Sequence, residues 1–179
     1  MPLASDLSLI PSSAGEVFIS TNDAIDRKIV PTTVLASSHP FCEFWTNHLA
    51  ALCQPGLYDT VIDALVALTR HDPSWRSRRN IDADAIVAKR SEMRTLLRDH
   101  PPNVVVVSGM GDESCGFHLQ EPLLWPFIYI SEVYVDLWKD ADRISEQGLA
   151  LSVFIAAAID HEIGHWVFTL VSIIINLIY

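Results

Sequence analysis

The feature that most constrains the fold is a long apolar stretch near the C-terminus that carries the sequence IDHEIGHW, residues 159–166. Its helical pattern begins near Ser145 or Glu146. Apolar residues recur on almost every face of this helix, at Leu149, Val153, Phe154, Ile155, Ile159 and Ile163. A helix that is apolar all round is typical of a protein core. The sequence therefore predicts a buried helix that also carries four ionisable residues, which are Asp160, His161, Glu162 and His165.

Two interpretations of these ionisable residues compete. Burying them without partners would cost several kcal/mol, so their presence in a core helix indicates a function. The alternative is that they form the polar stripe of an amphipathic helix, and such stripes are common. The stripe is narrow here, and the apolar neighbours leave little exposed face. We therefore favour a metal site.

The chemistry follows from helical spacing. Residues four apart lie on one face of a helix, so His161 and His165 can direct ring nitrogens at a single zinc ion. Glu162 is rotated by about 100° from His161, which suits a general base that takes a proton from a water on the metal. The predicted activity is zinc-dependent hydrolysis of a peptide bond, with His161 and His165 as ligands and Glu162 as the catalytic residue.

The rest of the chain predicts an α+β fold. Apolar spacing predicts helices on either side of the Pro55-Gly56 break, and a charged helix from about Asp82 to Asp99. Residues 103–108 are a β-branched run typical of a buried strand, and the alternation in residues 127–138 predicts a half-exposed strand. We expect a helical N-terminal half packed on a small mixed sheet, with a long C-terminal active-site helix.

The domain organisation is predicted to be simple. Residues 1–40 read as a loosely ordered arm with two short strands, at residues 17–19 and 34–35. Residues 41–179 are predicted to form a single domain. This domain would be incomplete at its C-terminus if the chain lacks a zinc ligand there. The remaining histidines are isolated and are predicted to be structural, namely His39, His48, His71 and His100.

Composition limits the partners and the compartment. The chain has 12 Lys and Arg against 22 Asp and Glu, a net charge of -10, which argues against nucleic-acid binding. Three cysteines without a dense pattern argue against a secreted disulfide framework, and no signal peptide is apparent. We expect a cytoplasmic protein that acts on a peptide or protein substrate.

His161-Glu162-Ile163-Gly164-His165 on a helix that follows two strands resembles the zincin superfamily of zinc metallopeptidases. The resemblance covers roughly residues 103–170. It implies that His161 and His165 bind zinc, that Glu162 is the general base, and that an edge strand aligns the substrate by main-chain pairing. By that resemblance, residues 127–138 are the candidate for the edge strand.

The third zinc ligand departs from the zincin pattern. The metzincin positions hold Phe168 and Val171, and no Asp, Glu, His or Cys follows His165, which excludes a gluzincin ligand within this chain. We favour a chain that is truncated or misread after about Leu170, because the β-branched residues 173–175 continue a helix poorly. An upstream ligand, Cys115 or His118, is the alternative and resembles the peptide deformylases.

Two further alternatives stay open. A non-catalytic helical interaction protein would use the same apolar helix without a metal. Residues 163–179 are a 17-residue apolar stretch that barely reaches spanning length and lacks a basic flank, so a membrane-associated enzyme is the other alternative.

Overall fold

The structure is a computed structural model that describes residues 15–20, 33–69, 83–110, 115–117 and 127–178, with backbone alone at 83, 117 and 171–178. Five helices lie in these ranges: α1 (Pro40–Cys53), α2 (Asp59–Leu68), α3 (Ala83–Asp99), α4 (Glu132–Asp140) and α5 (Glu146–Ile178). The strands are β1 (Val17–Ser20), β2 (Thr33–Val34), β3 (Asn103–Val107), β4 (Gly116–Phe117) and β5 (Phe127–Ser131). The predicted α+β fold is confirmed.

Local sequence signals explain where the helices that build the site begin. His39 caps α1, since its Nδ1 accepts a hydrogen bond from the Phe41 amide at 3.2 Å, and Pro40 is suited to the first turn. Ser145 caps α5: its hydroxyl accepts a 3.0 Å hydrogen bond from the Gly148 amide. The α5 cap lies where the apolar periodicity of the sequence begins, so the predicted start of α5 near Ser145 or Glu146 is confirmed.

The sheet is mixed and has the strand order β2-β1-β3-β5-β4. β1, β3 and β5 are parallel, whereas β2 and β4 pair antiparallel on the two outer sides. β3 and β5 are fully buried, as expected of parallel strands that are covered on both faces. β1 belongs to this sheet, so the described part of the predicted arm packs with the rest of the chain. Residues 1–14 and 21–32 of the arm lie outside the described residues.

The prediction for residues 127–138 is half wrong. The strand ends at Ser131, and α4 follows at once. Val135 and Trp138, three residues apart, are buried, while Val133 and Leu137 are about half exposed, which is a helical pattern. Glu132 in the first turn and Lys139 in the last suit the helix dipole. The prediction of an edge strand here is also wrong, because β5 lies between β3 and β4.

The core lies mainly on one face of the sheet. Alternate residues of β3 and β5, including Val104 and Ile130, join a cluster with the buried faces of the helices, which includes Phe41, Trp45 and Ile163. A smaller cluster on the opposite face contains Val105 and Tyr129. α5 packs against β5 and β4. One face of the sheet therefore supports α5, the helix that carries residues 159–166.

α5 differs from expectation in two ways. The prediction that it is buried on almost every face is wrong, because Leu149, Val153 and Phe154 in its first half are exposed and give it an amphipathic pattern. The helix runs to Ile178, through the β-branched residues that were predicted to interrupt it. Helix propensity is a weak preference of less than about 1 kcal/mol per residue. The unfavourable propensity of three β-branched residues is therefore too small to end a helix that is already formed. In the part of the chain that the structure describes, no helix combines the length and apolar character needed to cross a membrane.

Candidate metal centre

The two histidines of the motif lie together on one face of α5. Their Nε2 atoms are 3.1 Å apart, their ring centroids are 4.7 Å apart, and the rings are nearly perpendicular. Both residues are exposed, whereas the residues between them are buried. The helical spacing predicted from the sequence therefore brings the two Nε2 atoms close to each other.

This spacing fits a shared zinc ion. Two nitrogens bound to one zinc at 2.0–2.1 Å in tetrahedral geometry are about 3.3–3.4 Å apart, a few tenths of an ångström from the observed separation. The pKa of His165 is lowered, first by burial and then by the charge of His161. A lowered pKa favours the neutral imidazole, which is the form with a free lone pair for a metal. The pair has the geometry of two zinc ligands, and the lowered pKa of His165 suits one of them.

Glu162 faces the sheet instead of the solvent. It is 4% exposed, and its Oε2 accepts no hydrogen bond within the described residues. Burial raises the pKa of this carboxyl group from 4.5 to about 7. The strand β4 runs against it: a Cβ added to Gly116 would lie 3.1 Å from Glu162 Cγ and 2.8 Å from the Tyr129 carbonyl oxygen. A glycine is needed at this point because the carboxylate side chain and the β5 backbone leave no room.

The described residues offer no complete ligand set. Among them, the side chains of His, Cys, Asp and Glu form no group of three that could hold one ion. Cys115 lies near Glu162, since burial and then the charge of that carboxylate raise the thiol pKa to about 11. His118, the other upstream candidate, lies outside the described residues.

A cavity of about 660 Å³ opens beside the histidine pair. Its α5 wall includes both histidines, Asp160, Gly164 and Phe168, and its α2 wall consists of Thr60, Val61, Ala64, Leu65 and Leu68. Gly164 keeps the two helices close, because a Cβ there would lie 3.3 Å from Leu68 Cδ1. The surface next to the two imidazoles is therefore mostly apolar, which suits a hydrophobic side chain.

Asp160, the residue before His161, has a partner that the sequence did not indicate. Its Oδ1 lies 2.8 Å from His48 Nε2, and the two side chains are 16% and 4% exposed. Because an ionised carboxylate can only accept, the imidazole is the donor. The two residues are 112 positions apart, and His48 was predicted only to be structural. A single buried histidine gives no sign of its partner in a sequence.

The comparisons with known proteins identify no relative. No protein family, no curated protein and no solved structure matches this chain.

Proposed function

We propose that this chain is a zincin-type zinc metallopeptidase in which His161 and His165 bind the metal and Glu162 is the general base. The observation that carries the proposal is the 3.1 Å separation of the two Nε2 atoms on adjacent turns of α5. Zinc, when bound, would act as a Lewis acid and lower the pKa of a coordinated water. The two imidazoles would hold the ion on the wall of the apolar cavity.

Glu162 would accept the proton of the attacking water and later deliver it to the leaving amine. A general base works best when its pKa lies near the working pH, and the pKa of about 7 meets this condition. Its Oε2 has a free acceptor site as far as the described residues extend, and the side chain would have to turn from the sheet toward the ion to use it. The apolar surroundings that raise the pKa of Glu162 also exclude competing water.

The cavity and β4 would together bind the substrate. A peptide can add to the open edge of a sheet by main-chain hydrogen bonds, while pockets accept its side chains. β4 is the last strand of the described sheet on the side of Glu162, so it replaces residues 127–138 as the proposed edge strand. The cavity between α2 and α5 would accept an apolar side chain of the peptide.

The test is hydrolysis of a fluorogenic peptide library by the purified chain with one equivalent of zinc. Glu162→Gln should abolish hydrolysis and keep the metal, while His165→Ala should lose both. His100→Ala, an exposed histidine at the end of α3, is the matched control and should change neither. Hydrolysis retained by Glu162→Gln would refute the assigned base. A wild-type chain with less than about a tenth of an equivalent of zinc would favour a non-catalytic helical interaction protein.

A second candidate is a peptide deformylase-like metallohydrolase with Cys115 as the third ligand. The observation in its favour is that Cys115 lies close enough to Glu162 for the carboxylate to raise the thiol pKa. Cys115→Ala would then remove the metal, whereas a zincin whose third ligand lies elsewhere would keep it.

The proposed location is the cytoplasm. Cys42, Cys53 and Cys115 are all free thiols, which suits a reducing compartment. The net charge of -10 favours a peptide or protein substrate over a nucleic acid.

A further inference from the structure

The contact between His48 and Asp160 joins α1 to the turn of α5 that carries the histidine pair. The His48 ring is buried between two aromatic rings. It lies parallel to Phe44, with centroids 6.2 Å apart, and perpendicular to Tyr58, with centroids 5.5 Å apart. This packing fixes the orientation of the imidazole, and its Nε2 meets Asp160 Oδ1 at 2.8 Å. Such a pair is built into the core and is not a chance contact on the surface.

Asp160 also lies on the wall of the cavity that contains His161 and His165. Its carboxylate therefore carries a negative charge on the same cavity wall as the two imidazoles. A carboxylate in a partly buried wall attracts a cation more strongly than one in water, because the effective dielectric constant is lower. The attraction depends on where the carboxylate is held.

We infer that His48 is a positioning residue for cation binding: its hydrogen bond holds the Asp160 carboxylate on the cavity wall, where Asp160 raises the affinity of the His161–His165 pair for zinc. This inference rests on the proposed metal site. It goes beyond that proposal because it assigns a role to two residues outside the motif and links α1 to the affinity of the site. Residues hydrogen-bonded to metal ligands typically change metal affinity by about 10-fold to 100-fold, and Asp160, which would act through its charge alone, belongs at the lower end of this range.

The experiment measures the zinc affinity of the full chain by competition with a chromophoric chelator. Asp160→Asn keeps the shape and the hydrogen bond with His48 but removes the charge, and should weaken zinc binding by about tenfold. His48→Leu removes the donor and should weaken binding by roughly the same factor. His48→Gln places an amide donor near the position of Nε2 and should restore affinity to within about threefold of the wild type.

The matched control is Ser152→Ala. It removes another cross-helix contact onto α5, the 2.8 Å hydrogen bond that Ser152 Oγ accepts from Trp138 Nε1. This variant should lose stability without losing zinc affinity, and thermal unfolding in chelator gives the stability of every variant. If His48→Leu does not fold, the isosteric Asp160→Asn still decides the question.

The outcomes distinguish a failure of the positioning role from a failure of the proposed metal site. Zinc affinity within about twofold of the wild type in Asp160→Asn would overturn the positioning role and leave the proposed metal site intact. A wild-type chain that binds no zinc would overturn the metal site, and the positioning role with it. Equal losses of affinity in Ser152→Ala and His48→Leu would show a general structural effect and would also overturn the inference.

Discussion

Replacing Glu162 by Gln should stabilise the metal-free protein, and more so at alkaline pH. Burial raises the pKa of this carboxyl group from 4.5 to about 7, so the native state keeps a proton that the unfolded state releases between these values. Wild-type stability therefore falls as the pH rises through this window. At about 1.4 kcal/mol per pKa unit, the penalty is about 1 kcal/mol near pH 5.5 and about 3 kcal/mol near pH 8.5. Because Gln has no charge to bury, the advantage of the variant should grow by about 2 kcal/mol between these pH values.

The assay is urea unfolding of both proteins in chelator near pH 5.5 and pH 8.5, where the lower value stays above the isoelectric point of about 4.9. The variant-minus-wild-type difference in unfolding free energy isolates Glu162, because other titrating groups contribute to both proteins. Glu43→Gln is the control: its carboxylate is exposed, so the difference should change by less than about 0.5 kcal/mol. An equal Glu162→Gln difference at the two pH values would refute the burial of this carboxylate.

Three further substitutions test the packing around the site. Gly116→Ala would put a Cβ 2.8 Å from the Tyr129 carbonyl oxygen, so β4 would have to shift. The free energy of unfolding should fall by about 1–3 kcal/mol. An unchanged midpoint in urea unfolding would contradict this contact. In Gly148→Ala the new Cβ would clash with the Asp142 carbonyl oxygen, so the melting temperature of the chain should fall; an equal or higher value would contradict this contact. Trp45→Phe removes the 2.9 Å hydrogen bond from the indole to a backbone carbonyl two residues before β1, at a cost of about 1 kcal/mol; no loss in chemical denaturation would argue against that contact.

Periodicity in the sequence was enough to predict most of the fold. α1, α2, α3, β3 and the start of α5 follow from apolar spacing and from the breaks at Pro55-Gly56 and Pro101-Pro102. The error at residues 132–138 has a simple cause: Val133, Val135 and Leu137 alternate as in a strand, while Val135 and Trp138 are also three apart as in a helix. Packing of Val135 and Trp138 against the core decides between these patterns, and a short sequence window does not contain that information.

The site divides in the same way into a local part and a long-range part. The approach of His161 to His165 is set by one helical turn, so the motif alone predicts it. The His48–Asp160 contact and the placement of Gly116 against Glu162 depend on how α1 and β4 meet α5. Such contacts between distant segments leave no pattern in a single sequence, which is why His48 was predicted only to be structural. A third zinc ligand from a distant segment would likewise leave no pattern in the sequence.

The central claim is that His161 and His165 bind one divalent ion together. Long-range proton–nitrogen NMR correlations of the histidine rings, recorded while zinc is added, test this claim most directly, because each ring nitrogen reports its own protonation and metal binding. The proposed site predicts that the Nε2 signals of His161 and His165 shift together. Their shifts should be complete at one equivalent of zinc, while the signals of His100 should not change. Shifts in only one of the two rings, or in neither, would contradict it.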